Sequence, residues 1–304
     1  MKHVFIINPA AGKSDITEQL RSRIERECAG LDYEIYRTHG PGDAIEFIRG
    51  LCEASREDMR FYACGGDGTL NEVVNGAAGF KHASVTCYPC GSGNDFVKYY
   101  GGKERFLDIS ALTRSQDKLI DIMEAEGRYC INVCNFGFDT AVAQTISGLK
   151  TKPFMGGKNA YYAGVVKALA TSMKNSCTVK ADGKELHSGD FLLCTVANGN
   201  YVGSSFKCAP RSKNNDGLLE VCLVKPISRM KFLSLVGAYT RGEHLDDPRF
   251  DDCIVYCRAS DIEISSDMPG FACTLDGEVI ETPHLNVRTL KQALRFAVPG
   301  GETE

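Results

Sequence analysis

Residues 61–72 read Phe-Tyr-Ala-Cys-Gly-Gly-Asp-Gly-Thr-Leu-Asn-Glu. A short apolar strand, Phe61–Cys64, runs straight into Gly65, Gly66, Asp67 and Gly68, and a helix follows through Thr69, Leu70 and Asn71. Glycines carry no Cβ, so a phosphate can approach this backbone closely. The N–H groups that open the helix point at such a phosphate, and the helix dipole favours its charge. Asp67 repels phosphate, so its chemistry is to hold a metal ion or that ion's waters. The segment therefore reads as a nucleotide site that uses Mg²⁺. The alternative is a plain tight turn between strand and helix.

Two more loops share this grammar. Tyr88-Pro89-Cys90-Gly91-Ser92-Gly93-Asn94-Asp95-Phe96 follows the strand Ser84–Cys87, with a hydroxyl at Ser92 and a second carboxylate at Asp95. Asn8-Pro9-Ala10-Ala11-Gly12-Lys13-Ser14 follows the strand His3–Ile7. Glycine-bearing loops at the C-terminal ends of strands fit ligand binding at that edge of a parallel sheet. Gly12-Lys13-Ser14 is no Walker loop, because the glycine required five positions before Gly12 is Ile7.

Carboxylates recur near the C-terminus. In Thr274-Leu275-Asp276-Gly277-Glu278 an Asp-Gly turn fixes two carboxylates two residues apart. A plain hairpin with a solvated glutamate is the alternative. Asp216, with the backbone carbonyls of Lys213 and Leu218, offers a hard oxygen site for a second metal. An Asp-Gly turn entering a strand explains the same residues.

In this order, the motifs resemble the diacylglycerol kinase catalytic-domain family in its small bacterial soluble form, which is similar to the sphingosine and ceramide kinases. The matching pieces are Asn8–Gly12, Gly65–Gly76, Gly91–Phe96, Asp216–Leu218 and Leu275–Glu278, spanning nearly the whole chain. The resemblance implies ATP bound by Asn8, Pro9, Ala10, Ala11, Gly12, Thr38, Gly65 to Asn71, and Ser92. It implies Glu278 as proton acceptor, with Asp276 as its partner in an aspartate–water–Mg²⁺ network with Asp67 and Asp95. The reverse assignment of Asp276 and Glu278 stays open. It implies a structural Mg²⁺ at Lys213, Asp216 and Leu218. Related proteins often have threonine where Ser92 stands, and the hydroxyl is retained.

The reaction implied is phosphorylation of a lipid hydroxyl by ATP, with diacylglycerol leading and a sphingoid base or another lipid as alternatives. NAD kinases share the Gly-Gly-Asp-Gly loop, but Asn71–Gly76 and Gly91–Asp95 follow the lipid-kinase pattern. A non-enzymatic nucleotide-binding module is the third reading, and the intact set Asp67, Asp95, Asp276 and Glu278 argues against it.

The elements that must position these residues alternate at first. Strands Lys2–Asn8, Tyr33–Thr38, Met59–Cys64 and Ser84–Cys87 interleave with helices Ser14–Cys28, Asp43–Cys52, Thr69–Ala78 and Asp95–Tyr100, with Ser14 and Asp43 as N-caps. This predicts βαβ units and a Rossmann-like parallel sheet over residues 1–115. From 116 to 286 strand-like runs dominate: Leu119–Glu124, Tyr129–Asn135, Cys177–Ala181, Phe191–Ala197, Leu218–Val224, Cys253–Cys257, Asp261–Ser265 and Phe271–Leu275. Asp182-Gly183 and Asp276-Gly277 signal hairpins, and helices are expected at Asn159–Met173 and Ser228–Thr240. The second domain reads as mostly antiparallel. The resemblance makes it a β-sandwich carrying the Asp-Gly-Glu turn, with residues 287–304 returning to the first domain.

Bulk properties exclude other classes. The chain has 304 residues, 24% charged and 43% hydrophobic, with a formal net charge of −4. That balance predicts a soluble protein and no nucleic-acid partner. No apolar run approaches the roughly 18–20 residues of a bilayer span, and the N-terminus reads as a first strand, which predicts a cytoplasmic protein. Fourteen cysteines without an export signal read as reduced core thiols. Offsets of four at Cys130/Cys134 and Cys253/Cys257 put each pair on one strand face, while Cys90 sits where oxidation is conceivable. A lipid substrate requires transient contact with the inner membrane face. Lys150, Lys152 and Lys158 with Phe154 and Met155, and a second cluster of Lys225, Arg229, Lys231 and Arg241, are candidate contacts, with solvated lysines as the alternative. A homodimer is left open.

Overall fold

Three largely buried strands and a half-exposed edge strand, alternating with helices, build the N-terminal sheet. The computed structural model describes residues 1–12, 14–149, 164, 167, 168 and 173–300. Its elements begin β1 (Lys2–Ile7), α1 (Thr17–Glu27), β2 (Tyr33–Arg37), α2 (Asp43–Ala54), β3 (Met59–Gly65), α3 (Asp67–Ala77) and β4 (Ala83–Pro89). The strands run parallel in the order β2-β1-β3-β4. Every residue of β3 is buried, as a central strand covered on both faces must be. The α2 helix buries Ala44, Ile48 and Cys52, one stripe at helical spacing.

Both expected N-caps are corrected. The α1 helix begins at Thr17, and Asp15 rather than Ser14 takes the Thr17 N–H, at 2.8 Å. Gly42 caps α2 in the left-handed region, φ 83°. Asp43 is already helical, and its carboxylate takes the His39 N–H at 2.7 Å and the Tyr36 hydroxyl at 2.8 Å. The expected helix Asp95–Tyr100 is a 3₁₀ turn, Phe96–Tyr100.

The chain divides into two compact units. The first holds Met1–Ile122, Arg128–Ile131 and Leu290–Glu304, and the second Met123–Gly127 and Asn132–Thr289. One long strand, His284–Val298, serves both. In the first unit it lies parallel to β4, pairing Arg295 with Ser84 and Phe296 with Val85. The Thr86 hydroxyl donates to the Ala297 carbonyl at 2.7 Å. Phe296 stacks on Tyr100 at 5.7 Å and meets Phe96 edge-on at 5.2 Å.

The second unit is an antiparallel β-sandwich. One sheet pairs Asn175–Ala181 with Lys184–Phe191 and with Asp261–Ser265, which pairs in turn with His284–Arg288. The other runs Ile254–Ala259, Leu219–Val224, Leu193–Ala197, Val133–Gly137, Ala272–Leu275, Glu278–Glu281. Both signalled hairpins form. Asp182 and Gly183 have φ 47° and 75°, and Asp276 and Gly277 have φ 48° and 89°. Positive φ at both central residues is the turn that matches strand twist.

Several expected elements change. Tyr129–Asn135 is two strands, Arg128–Cys130 in the first unit and Val133–Gly137 in the second. Cys130 and Cys134 therefore do not share a strand face, although both are buried. Phe191–Ala197 is likewise split, and the edge strand Lys184–Phe191 and the helix Phe138–Leu149 come in addition. The expected helix Asn159–Met173 and the basic stretch Lys150–Lys158 lie outside the described residues, apart from Gly164, Lys167, Ala168 and Met173. Ser228 caps the helix Arg229–Arg241, accepting the Lys231 N–H. Among the described residues no helix is long and apolar enough to cross a membrane. All fourteen cysteines are free, and all but Cys90 and Cys257 are buried.

His244 is 2% exposed, with its ring 4.5 Å from that of Tyr239. Burial drops its pKa from 6.5 to about 4. The unfolded chain therefore binds a proton that the fold refuses. Stability is full above pH 6.5 and is lost as pH falls toward 4, by about 3 kcal/mol in all. Urea unfolding across this range should show that slope, and His244→Phe should remove most of it.

Candidate functional site

The three glycine loops leave the C-terminal ends of β1, β3 and β4 and meet one another. Asn8 ties the first loop to α3, its amide donating to the Thr69 hydroxyl at 3.0 Å. Its Oδ1 takes the Ala10 N–H at 3.0 Å and so shapes Pro9–Ala11. Thr38 is buried at the end of β2, and its N–H reaches the Ile7 carbonyl at 2.9 Å. The Gly65 carbonyl takes the N–H of Cys90 at 2.9 Å and that of Gly91 at 3.2 Å. Lys13 lies outside the described residues.

The glycines have different roles. A Cβ on Gly91 would sit 2.4 Å from the Gly66 Cα, and one on Gly12 would sit 2.6 Å from the Cys90 carbonyl oxygen. A Cβ on Gly65 would strike the Thr69 hydroxyl at 2.1 Å. These three glycines let backbone meet backbone or helix. Gly68 differs, because a Cβ there meets nothing within 4 Å. It is exposed in the first turn of α3, where N–H groups lack helical partners. Open space at a helix N-terminus fits a phosphate group of ATP.

Asp67 heads α3, and its Oδ1 accepts the Asp95 N–H at 2.6 Å. The Asp95 carboxylate pairs with Lys98. The two sequence-expected carboxylates of this unit are thus brought together by a backbone bond. Both are hard oxygen donors of the kind Mg²⁺ prefers. Ser92 is exposed at the tip of its loop. Leu70 is buried in the core and contributes packing. Asn71 donates to the Tyr129 carbonyl at 3.0 Å, and Asn75 donates to the same oxygen at 2.8 Å and takes the Tyr129 N–H at 2.9 Å. Sequence reasoning missed this clasp, although an asparagine pair four apart on one helix face is its signal. It also missed Glu72, which takes the Gly42 N–H at 3.0 Å, and Lys98. Burial lifts the Cys90 thiol to about 11 and pushes the Cys87 thiol well above its ordinary value. Both stay protonated, which makes Cys90 a poor target for oxidation.

The second unit holds the other expected carboxylates. Asp276 Oδ1 takes the N–H groups of Asn132 at 3.0 Å and Val133 at 3.1 Å. The Asp276 N–H returns to the Val133 carbonyl at 3.0 Å. Asp276 therefore staples its turn to the start of a neighbouring strand. Glu278 is exposed just past the turn. Asp216 Oδ1 takes the Leu218 N–H at 3.1 Å, and its other oxygen pairs with Arg258. Arg258 also meets Glu220 at 3.1 Å. A cation bound by Asp216, Lys213 and Leu218 would share the carboxylate with this guanidinium, as one at Asp95 would share it with Lys98. Among the described residues no group of three or more His, Cys, Asp or Glu is placed to hold a metal.

Known proteins share both domains. Residues 2–125 match the model of the Diacylglycerol kinase catalytic domain, and residues 132–298 match the YegS C-terminal NAD kinase beta sandwich-like domain. A diacylglycerol kinase of Bacillus subtilis (strain 168) is 31% identical over 284 residues, 91% of this chain and 90% of that one. The chain belongs to this bacterial lipid-kinase family. A solved diacylglycerol kinase from Bacillus anthracis str. Sterne has the family's fold at 21% identity and a TM-score of 0.70, covering 98% of this chain and 96% of that one. An NAD kinase from Archaeoglobus fulgidus in complex with ATP is similar in fold at 12% identity and a TM-score of 0.50, covering 99% of this chain and 94% of that one. Both family domains are therefore present in one chain, and the first is a kinase-like, ATP-binding fold.

Gly68→Ala and Gly91→Ala should separate the two roles of glycine. Gly68→Ala should leave the melting temperature unchanged or slightly higher and weaken ATP binding about tenfold or more. Gly91→Ala should lower the melting temperature, because backbone must move. Calorimetric unfolding and ATP titration would check both.

Proposed function

We propose that this protein transfers the γ-phosphate of ATP to the hydroxyl of a lipid alcohol, with diacylglycerol the leading acceptor and phosphatidic acid the product. The observation that carries the reading is the open space beside Gly68 at the head of α3, next to Asp67, in a loop that is hydrogen-bonded to the Cys90–Asp95 loop. The acceptor class is supported by relatives named diacylglycerol kinase that align over nine-tenths of the chain. Fold likeness to an NAD kinase does not favour NAD as acceptor, since the likeness is one of fold alone.

Phosphoryl transfer needs positioning and charge neutralisation more than covalent chemistry. The acceptor oxygen attacks the γ-phosphorus, the bond from that phosphorus to the β-bridging oxygen breaks, and ADP leaves. The hydroxyl proton passes to the carboxylate of Glu278. Asp276 is a positioning residue, because its Oδ1 is already committed to two backbone N–H groups. Asp67 and Asp95 would hold Mg²⁺ or its waters, and the ion when bound neutralises phosphate charge. Asn8 to Gly12, Thr38, Gly65 to Asn71 and Ser92 form the nucleotide side, with Asn8, Leu70 and Asn71 acting through structure.

Labelled γ-phosphate transfer in mixed micelles tests this. Parallel reactions would contain diacylglycerol, sphingosine, ceramide or NAD. Label in a lipid supports the reading, and label in NADP would move the protein to the other reaction. Glu278→Gln should lower kcat by about 10²–10⁴ without changing ATP affinity. Asp276→Ala should cost about 1–3 kcal/mol of stability, because it strands two N–H groups. Full activity in Glu278→Gln would withdraw its role as base.

A further inference from the structure

One exposed imidazole at the edge of the first sheet is tethered. His39 follows Thr38 just past the C-terminal end of β2, and its side chain is 74% exposed. Exposed side chains ordinarily hop between rotamers within nanoseconds. Here Nδ1 lies 3.2 Å from Asp43 Oδ2, the same oxygen that takes the His39 N–H at 2.7 Å. The Tyr36 hydroxyl donates to the other Asp43 oxygen at 2.8 Å. The Tyr36 ring stacks on Phe47 at 3.6 Å and meets the His39 ring edge-on at 6.0 Å. A carboxylate only accepts, so in the neutral ring Nδ1 carries the proton and Nε2 is left as an acceptor. Among the described residues Nε2 has no hydrogen-bond partner. Thr38 differs: it is buried, and its N–H and hydroxyl both point at the Ile7 carbonyl, at 2.9 and 3.4 Å.

Strand order sets which way a nucleotide lies along this edge. The strands run β2-β1-β3-β4. The phosphate end is at Gly68, after β3, and Asp95 places the metal-binding carboxylates on the β4 side. The base therefore lies the other way, over β1 toward β2. Two strand spacings are about 10 Å, within the reach of a nucleotide from its β-phosphate to its base. The His39 loop is also fastened to the phosphate helix. The Gly42 N–H donates to Glu72 at 3.0 Å, and Glu72 stands one turn beyond Gly68 on the same face of α3. Gly40 and Gly42 leave the approach open, since a Cβ on either would meet nothing within 4 Å.

We propose that His39 determines which nucleotide base is taken, its Nε2 accepting a hydrogen bond from the 6-amino group of adenine. Guanine carries a carbonyl oxygen at that position, so lone pair would face lone pair. A site built to bond one polar group rejects the analogue that lacks it. The proposal rests on the nucleotide half of the function proposed above, with the phosphates at Gly68.

Calorimetric binding in the presence of Mg²⁺ tests it with ATP, GTP and purine riboside 5′-triphosphate, which lacks the 6-amino group. The wild-type protein should bind ATP about tenfold more tightly than the purine analogue, and GTP more weakly than either. His39→Phe keeps an aromatic ring and loses the acceptor. It should bind ATP about tenfold more weakly and the purine analogue as the wild type does. Removing the amine from the ligand and the imidazole from the protein should thus cost no more together than either alone, as a direct contact requires. An equal loss for all three ligands, which would mark a role in loop structure alone, would overturn the assignment. So would an unchanged preference in His39→Phe, or a wild-type protein that binds all three alike. Binding is the readout, so the expected pattern in a protein that transfers phosphate to no acceptor would overturn the kinase reading and leave this assignment standing. A wild-type protein that binds no triphosphate would overturn both.

Discussion

Backbone must touch backbone at the nucleotide end, and the local structure follows from that constraint. The Gly66 and Gly91 main chains pass so close that a single Cβ on Gly91 would fall 2.4 Å from the Gly66 Cα. The Gly65 carbonyl gathers two N–H groups of the neighbouring loop, and Asp67 takes a third from Asp95. Loops that carry function usually gain precision from the scaffold beneath them. Here they also gain it from each other, because the bonds run loop to loop. Gly68 takes no part in these contacts, and a Cβ there would meet nothing within 4 Å.

Much of the fold could be read from the chain, and the failures have identifiable causes. Parallel strands were legible because a strand buried on both faces reads as a nearly continuous apolar run, as Met59–Gly65 does apart from Arg60, which is buried against Asp117. The hairpins at Asp182-Gly183 and Asp276-Gly277 were legible because few residue pairs accept positive φ twice. The strand Lys184–Phe191 was hidden by its composition: an edge strand with half its side chains in water shows little apolar pattern. The break between Cys130 and Val133 was hidden because Tyr129–Asn135 reads as one strand-like run, and only long-range pairing separates its halves. The division near residue 122 runs through the strand Gln116–Ala125. No change in composition marks a boundary placed there.

The candidate site was legible as residue types and less so as roles. Asp67 and Asp95 could be picked out, but the bond that joins them runs from side chain to backbone and leaves no pairwise signature. Asp276 offers the same lesson. A carboxylate in a tight turn invites a chemical role, yet two amide hydrogens already claim one of its oxygens. Asn71 and Asn75 look like ligand-binding amides in a phosphate loop. They hold the Tyr129 main chain, fastening a short returning segment to α3. Polar residues around such a loop serve first to keep an irregular backbone satisfied.

The strand His284–Val298 carries a consequence for how the chain comes to be folded. The β4 edge of the first sheet is completed by Arg295 and Phe296, and the aromatic cluster around Tyr100 is completed by Phe296. During synthesis these residues emerge only after the whole sandwich, at ribosomal rates of about 5–20 residues per second. The nascent first unit therefore waits roughly ten seconds or more with an open strand edge and an unfilled aromatic socket. An exposed edge is a template for wrong pairing. Residues at this seam thus bear on the yield of folded protein in the cell, quite apart from its final stability.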